Sequence, residues 1–348
     1  MESQARQMTL TVSDYRRLSQ SALIEYGTAP ELAETVTEAL LWCDAHGITS
    51  HGLNMLPTYL ERLHAGGING QVSPKVIKQR GAVAVIDSQG GFGQVAGEFA
   101  TRLALQQAKE HAVGLASVQN TNHGGALGYY TEMISQQGCV GFMAHNANAT
   151  MAPFGGAETA LGTNPLSFGF PGKTYPVVID MATSATAKGK LYELARKSDT
   201  IPEGLALDAN GEPTTSVQAA IKGILLPLGG PKGYSLAVAV EMLTGVLSGG
   251  LISKEIKSLH KAADQAQGSS MLVIAIDIDA FMEPEEYQER FARFESYLKG
   301  TRPMKGFERV MLPGEREYAM AQQRHANGVP VLQSIIDDIQ SHLKTKLL

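Results

Sequence analysis

Apolar residues recur at helical spacing near both ends of this chain and crowd into short runs in its middle. Leu32, Val36, Leu40 and Cys43 fall three to four residues apart between Pro30 and Gly47, the period of one buried helix face. Thr28 ahead of Pro30 marks the start of that helix and Gly47 its stop. An earlier helix has Thr11 and Asp14 in capping positions and ends at Gly27, and a third runs from Pro57 through Leu60 and Leu63 to Ala65. From about residue 80 the texture changes. AVAVID (Ala82 to Asp87), GLASVQ (Gly114 to Gln119) and CVGFMA (Cys139 to Ala144) are β-rich. Helical patterns from Gln94 to Ala112 and Leu127 to Gln137 separate them. LSFGF at Leu166 and PVVID at Pro176 add two strands, and ALDANGEPT carries turn chemistry in Asp208, Asn210 and Gly211. After residue 230 helices return, interrupted by the strand SMLVIAID from Ser270, and VLQSIIDDIQSHL closes the pattern as an amphipathic helix. The stretch after Tyr234, YSLAVAVEMLTGVLSGG, is broken by Glu241 and glycines, so it reads as a buried helix rather than a membrane span. The pattern predicts an α/β chain whose helical ends fold together around a sheet-rich middle.

Composition narrows the function. At 348 residues the chain suits one large domain or two ordinary ones, and 43% apolar with 18% charged residues is a globular balance. A net charge of −5 argues against nucleic acid as the main partner. Cys43 and Cys139 fall on an apolar helix stripe and at a strand start, so both read as core rather than as a disulfide or metal ligands. The opening MESQARQMTLTV lacks the apolar core of a secretory signal. A reduced, cytoplasmic protein that uses no membrane is the expectation.

Gly91, Gly93 and Ala96 spell G-x-G-x-x-A between a strand and a helix, the setting of a dinucleotide fingerprint. The confirming acid should close the next strand, but that strand runs into Asn120, Thr121 and Asn122. These glycines are therefore read as turn residues. The nine histidines form no spaced cluster with Cys, Asp or Glu, so no metal site is expected. Five other segments hold candidate chemistry. SHG at Ser50 places a hydroxyl and an imidazole at a helix start, and histidine titrates near neutrality. NHGGALGYY from Asn122 and LLPLGGPKGY from Leu225 bring backbone close to a ligand, with Lys232 as a charge for phosphate or carboxylate. LGTNPLSFGFP follows from Leu161, and DMATSATAKGK from Asp180 ends a strand in a carboxylate and hydroxyls. Each has a plainer reading: Asp180 as a helix cap before Ser184, His123 as a hydrogen-bonded loop residue.

Taken in order, these blocks resemble the second, non-Rossmann type of malate/L-lactate dehydrogenase. That family includes sulfolactate, ureidoglycolate and diketogulonate oxidoreductases and piperideine-2-carboxylate reductases. SHG followed by LPTYLERL, the His-Gly-Gly loop, GTNP, DMATS, GGPKGY and LPGERE at Leu312 carry the likeness, which extends from about residue 12 to 340. The resemblance implies a non-Rossmann α/β fold with a largely antiparallel cofactor-binding sheet domain at 79–230. A helical domain for substrate and dimerisation is then built from both chain ends, 1–78 and 231–348. It also implies a homodimer that moves hydride between NAD or NADP and a small 2-keto or 2-hydroxy acid, a related carbonyl or a cyclic imine.

By the same resemblance His51 is the proton donor or acceptor, assisted by Ser50, and Asn54, Tyr59 and His123 meet substrate. His123, Gly124, Gly125, Asp180, Met181, Ala182, Ser184, Lys232, Gly314 and Glu315 meet the cofactor. The family usually has Arg four residues after the histidine to grip a carboxylate; here Met55 stands there, and a thioether cannot form that bidentate pair. Asn54, Tyr59 and Lys190 are the candidate replacements. Two other readings stay open: a Ser50 hydrolase with His51 as base, which lacks a G-x-S-x-G elbow, and a cofactor-binding homologue without catalysis, motivated by Met55.

Overall fold

The computed structural model describes residues 6–195 and 198–344; positions 1–5, read above for a targeting signal, lie outside them. The chain opens with strand β1 (Gln7–Leu10) and helices α1 (Val12–Glu25) and α2 (Pro30–Ala45), then two short turns of 3-10 helix lead into α3 (Leu56–Ala65). The expected cap is present on α1, where the Thr11 hydroxyl accepts from the Asp14 amide. On α2 it is not: Ala29 is the cap residue and makes no side-chain bond, while the Thr28 hydroxyl is buried without a partner. Proline at the first turn already removes one orphan donor there.

A seven-stranded sheet follows, ordered β2-β3-β4-β10-β5-β6-β7. Its chain order is β2 (Lys75–Arg80), β3 (Val83–Asp87), α4 (Gly93–His111), β4 (Val113–Thr121), α5 (Gly128–Gln136), β5 (Cys139–His145), β6 (Leu166–Phe170) and β7 (Val177–Met181). After α6 (Lys188–Leu194) come β8 (Ala206–Leu207), α7 (Val217–Lys222), β9 (Ile224–Leu225) and α8 (Pro231–Glu241). Then come β10 (Ser269–Asp277), α9 (Pro284–Lys299), α10 (Glu315–Asn327), β11 (Val329–Leu332) and α11 (Gln333–His342). Within this seven-stranded sheet, among the described residues, only β3 and β4, joined through α4, pair in parallel; its other neighbours are antiparallel. Alanines 96, 100, 104 and 108 line the buried face of α4, which therefore lies close on the sheet beside α5. On the opposite face Val240 of α8 packs with Ala144 and Leu166.

The chain ends do meet. β1 pairs antiparallel with β11, and Leu10, Leu18, Leu40, Leu60, Val329 and Ile336 share one core. The sheet, however, cuts across the expected boundaries at 78 and 230. Its edge strand starts at Lys75, and β10, from beyond residue 231, lies between β4 and β5. SMLVIAID is buried on both sides, and a continuous apolar run is stable only where neighbours cover it. The segment after Tyr234 also differs from expectation. Leu236, Met242, Val246 and Leu247 are exposed, so α8 and the π-helical turn behind it bury one face and offer the other to solvent.

Candidate active site

The Ser50–His51 pair sits on a tight turn between α2 and α3. Ser50 Oγ and His51 Nδ1 are 2.9 Å apart, so the ring is held on one side and its Nε2 makes no hydrogen bond to the described residues. The turn closes through His51 N donating to Ile48 O and Met55 N to Gly52 O. Under it lies Asp44, whose buried carboxylate accepts from Leu53 N and from Tyr15 Oη, both at 2.6 Å. A Cβ at Gly52 would collide with that carboxyl group, so only glycine fits between it and the turn. Burial pushes the Asp44 carboxyl up to about 6, and the Leu53 amide and Tyr15 hydroxyl oppose the rise.

The His-Gly-Gly loop faces this turn. The rings of His51 and His123 stack with centroids 5.3 Å apart. Gln94 on α4 donates to Tyr59 Oη at 2.7 Å, and Tyr59 Oη lies 2.7 Å from His123 Nδ1. The phenol hydrogen thus goes to Nδ1, which leaves the ring proton of His123 on Nε2. The first helix residue of the G-x-G-x-x-A stretch has a use here: a side chain at Gly93 would strike the Asn122 and His123 carbonyls, so Gly93 lets α4 abut this loop. Arg62, fully buried, reaches Asn122 Oδ1 and the carbonyls of Leu259, Ala262 and Gln265, and the Gln267 side chain accepts from His123 N. His145 stands next to Gly124 with its Nε2 buried and unpartnered. Burial lowers His51 to about 4 and His145 to about 4; it also lowers His123, helped by the neighbouring His51 and His145 rings. Two stacked imidazoles in this crowding stay neutral at pH 7.

The remaining motifs are laced together around β7. Asp180 does not cap a helix before Ser184; its Oδ2 accepts from Gly128 N at 2.7 Å and so caps α5 from another strand. Although solvent reaches Asp180, surrounding protein raises its carboxyl to about 6. Thr183 N donates to Thr163 O of GTNP, Leu228 N to Thr183 O, and Ala185 N to Leu226 O, which joins DMATS to the strand leading into GGPKGY. Gly229 and Gly230 are left-handed, and an open cavity of about 480 Å³ lined by Phe154, Leu207, Pro227 and Gly230 lies beside them. Lys232 is exposed as the second residue of α8. Gly189 approaches within 3.7 Å of the Ser50 Cβ, measured from where its own Cβ would stand, so the start of α6 reaches the histidine turn.

The family model for malate/L-lactate dehydrogenase matches residues 10–340. The chain belongs to this family. It is 38% identical over 310 residues to the L-sulfolactate dehydrogenase of Methanocaldococcus jannaschii, covering 89% of each chain. It is 36% identical over 325 residues to a malate dehydrogenase of Pyrococcus abyssi, covering 91% of this chain and 89% of that one. The crystal structure of malate dehydrogenase from Entamoeba histolytica superposes with a TM-score of 0.92 at 27% identity, covering 97% of both chains. As a member of the malate/L-lactate dehydrogenase family, the chain is an oxidoreductase of the CH–OH type.

Of the residues singled out in the sequence, Ser50, His51, Tyr59 and His123 come together directly. Gly124 and Gly125 continue their loop. Asp180, Met181, Ala182 and Ser184 line the end of β7, and Gly314 packs its backbone against Val178 of that strand. Glu315 is engaged within the protein, bonded to Tyr175 Oη at 2.7 Å and ion-paired with Lys299 and Arg309. Asn54 is exposed; Met55 is 7% exposed and joins the helical core. Sequence reasoning missed Asp44, Arg62, Gln94 and His145. Asp44 left a signal: it stands on the same helix stripe as Leu40, where a carboxylate needs a partner. Among the described residues no group of His, Cys, Asp and Glu could hold a metal, and no helix is long and apolar enough to cross a membrane.

Proposed function

We propose that this chain moves hydride between a nicotinamide dinucleotide and a small 2-keto or 2-hydroxy acid, a related carbonyl or a cyclic imine. His51 serves as proton donor or acceptor. One observation carries the reading: Nδ1 of His51 is held by Ser50, while Nε2 has no hydrogen-bond partner among the described residues, beside His123 and a glycine loop. The residues fit such a cofactor. Gly125 is left-handed and only partly buried beside His123, the left-handed Gly229 and Gly230 border a cavity, and Lys232 is an exposed cation for a phosphate. We include a non-Rossmann cofactor domain in the reading, because the G-x-G-x-x-A glycines serve helix packing. When bound, the nicotinamide supplies the hydride chemistry.

His51 Nε2 takes the hydroxyl proton in oxidation and returns it to the carbonyl oxygen in reduction. His123, with its proton on Nε2, donates a hydrogen bond to the same oxygen. Met55 lies in the core, so no guanidinium stands at the family's usual place, and Asn54 or Lys190 takes a substrate carboxylate. The exposed apolar face of α8 is the surface we propose for a homodimer. Two buried free cysteines suit the reducing cytoplasm. The relatives bear dehydrogenase names, so the non-catalytic reading draws no support from them.

The test is oxidation of NADH and NADPH with pyruvate, oxaloacetate, ureidoglycolate-type, sugar-derived and cyclic imine substrates. No turnover with any of them would overturn the proposal. Lys232→Ala should raise the KM for the dinucleotide about tenfold and leave kcat within about twofold, since one phosphate contact is worth about 1.4 kcal/mol. An unchanged KM would remove Lys232 from the cofactor site. A pH profile follows from the lowered His51. The base must be neutral to accept a proton, and its value of about 4 keeps it neutral through the physiological range. Oxidative kcat/KM should therefore be flat above about pH 5 and fall about tenfold per unit below pH 4. A midpoint near 6.5 would mean an unshifted imidazole.

A further inference from the structure

A carboxylate on the buried stripe of a helix calls for a reason, and Asp44 has an unusual set of neighbours. It is 3% exposed, seven residues ahead of His51, among Leu40, Leu41 and Ala45 at the end of α2. Its side chain makes two hydrogen bonds. One is from Leu53 N, two residues past His51; the other is from Tyr15 Oη of α1. Gly52 lies against the carboxyl so closely that no side chain could intervene. The carboxylate therefore grips the main chain on the far side of the catalytic histidine, while His51 N to Ile48 O closes the near side.

The grip itself is anchored. The Asp44 carbonyl accepts from Arg324 of α10, and Met320 of the same helix fills the space beside Gly47. Leu53 and Leu56 are both fully buried, so the turn cannot swing out without emptying the core. Nothing comparable holds the His51 ring: besides the stacking on His123, its one side-chain hydrogen-bond partner among the described residues is Ser50, which rides on the same turn. The aim of Nε2 is thus set by the backbone, and the backbone by Asp44.

We propose that Asp44 is a positioning residue of the active site, its carboxylate fixing through Leu53 N and Gly52 the turn that presents His51. The inference rests on His51 as the proton-transfer group. A proton moves well only when donor and acceptor stay within hydrogen-bond reach and in line, so a loosened turn slows chemistry more than it weakens binding. Tyr15 supports the carboxylate from behind and should matter less.

The test uses the full chain, NADH, and whichever acid of the panel the wild type reduces fastest. Asp44→Asn should bind NADH within about threefold of wild type by fluorescence titration yet lose kcat about tenfold or more. The double variant with His51→Ala should be no slower than His51→Ala alone, because a positioning residue has nothing left to position. Three results overturn the proposal: kcat within about twofold of wild type, an equal loss of kcat and NADH affinity, or a double variant slower by the full Asp44→Asn factor. If Asp44→Asn fails to fold, Tyr15→Phe decides. A kcat loss of about threefold or more at unchanged NADH affinity supports the role, and an unchanged kcat removes it. Full activity in His51→Ala removes the basis for both readings. Loss in His51→Ala with a fully active Asp44→Asn removes the positioning role alone.

Discussion

His51→Ala should lower kcat by about 10²–10⁴-fold and move both KM values little, because proton transfer of this kind is worth about that much. The side chain touches Ser50 through Nδ1 and lies over His123, but it hydrogen-bonds nothing else among the described residues. Removing it leaves no buried donor or acceptor stranded, so the fold should survive. Ser50→Ala should do less. It frees the ring to rotate but leaves the imidazole in place, so about a tenfold fall in kcat is expected. Steady-state rates with NADH and the preferred acid check both. A His51→Ala enzyme at full rate would mean that some other group, His123 being the nearest, moves the proton.

Arg62→Ala should destabilise the fold by about 3–5 kcal/mol, because it strands several buried carbonyls at once. The guanidinium reaches Ala262 O at 2.8 Å, Leu259 O at 3.1 Å, Gln265 O at 2.6 Å and Asn122 Oδ1 at 3.2 Å. These acceptors belong to the segment entering β10 and to the loop carrying His123, so one side chain ties α3 to both. Arg62→Lys should recover only part of the loss, since an ammonium cannot serve a fork of acceptors. Denaturant unfolding followed by circular dichroism gives the difference directly. A loss below about 1 kcal/mol would mean that water replaces the guanidinium without penalty.

The two variants test different kinds of information. His51 was legible because SHG stands among five other blocks whose order is itself specific. Arg62 was not. In LPTYLERL it reads as one more charged residue on a helix surface, and its burial depends on a partner segment two hundred residues away. Asp44 falls between them: its place on the apolar stripe was a usable signal, but the identity of its partners was not. Asp180 shows the same limit. The strand end was foreseen, whereas the helix it caps is α5 rather than the segment that follows it.

Local physics, then, was written in the chain. The Thr11 cap, the stops at Gly27 and Gly47, and the β-rich runs from Ala82 to Asp180 each depend on residues within a turn or a strand length, and they stand where the pattern put them. Tertiary structure alone decided the rest. It placed β10 at the sheet's centre, paired β1 with β11, turned one apolar face of α8 outward, and brought Tyr59, Gln94 and His123 into one hydrogen-bonded row. Those outcomes hinge on which buried surfaces and polar groups find each other across long separations, and periodicity along a chain carries no record of that.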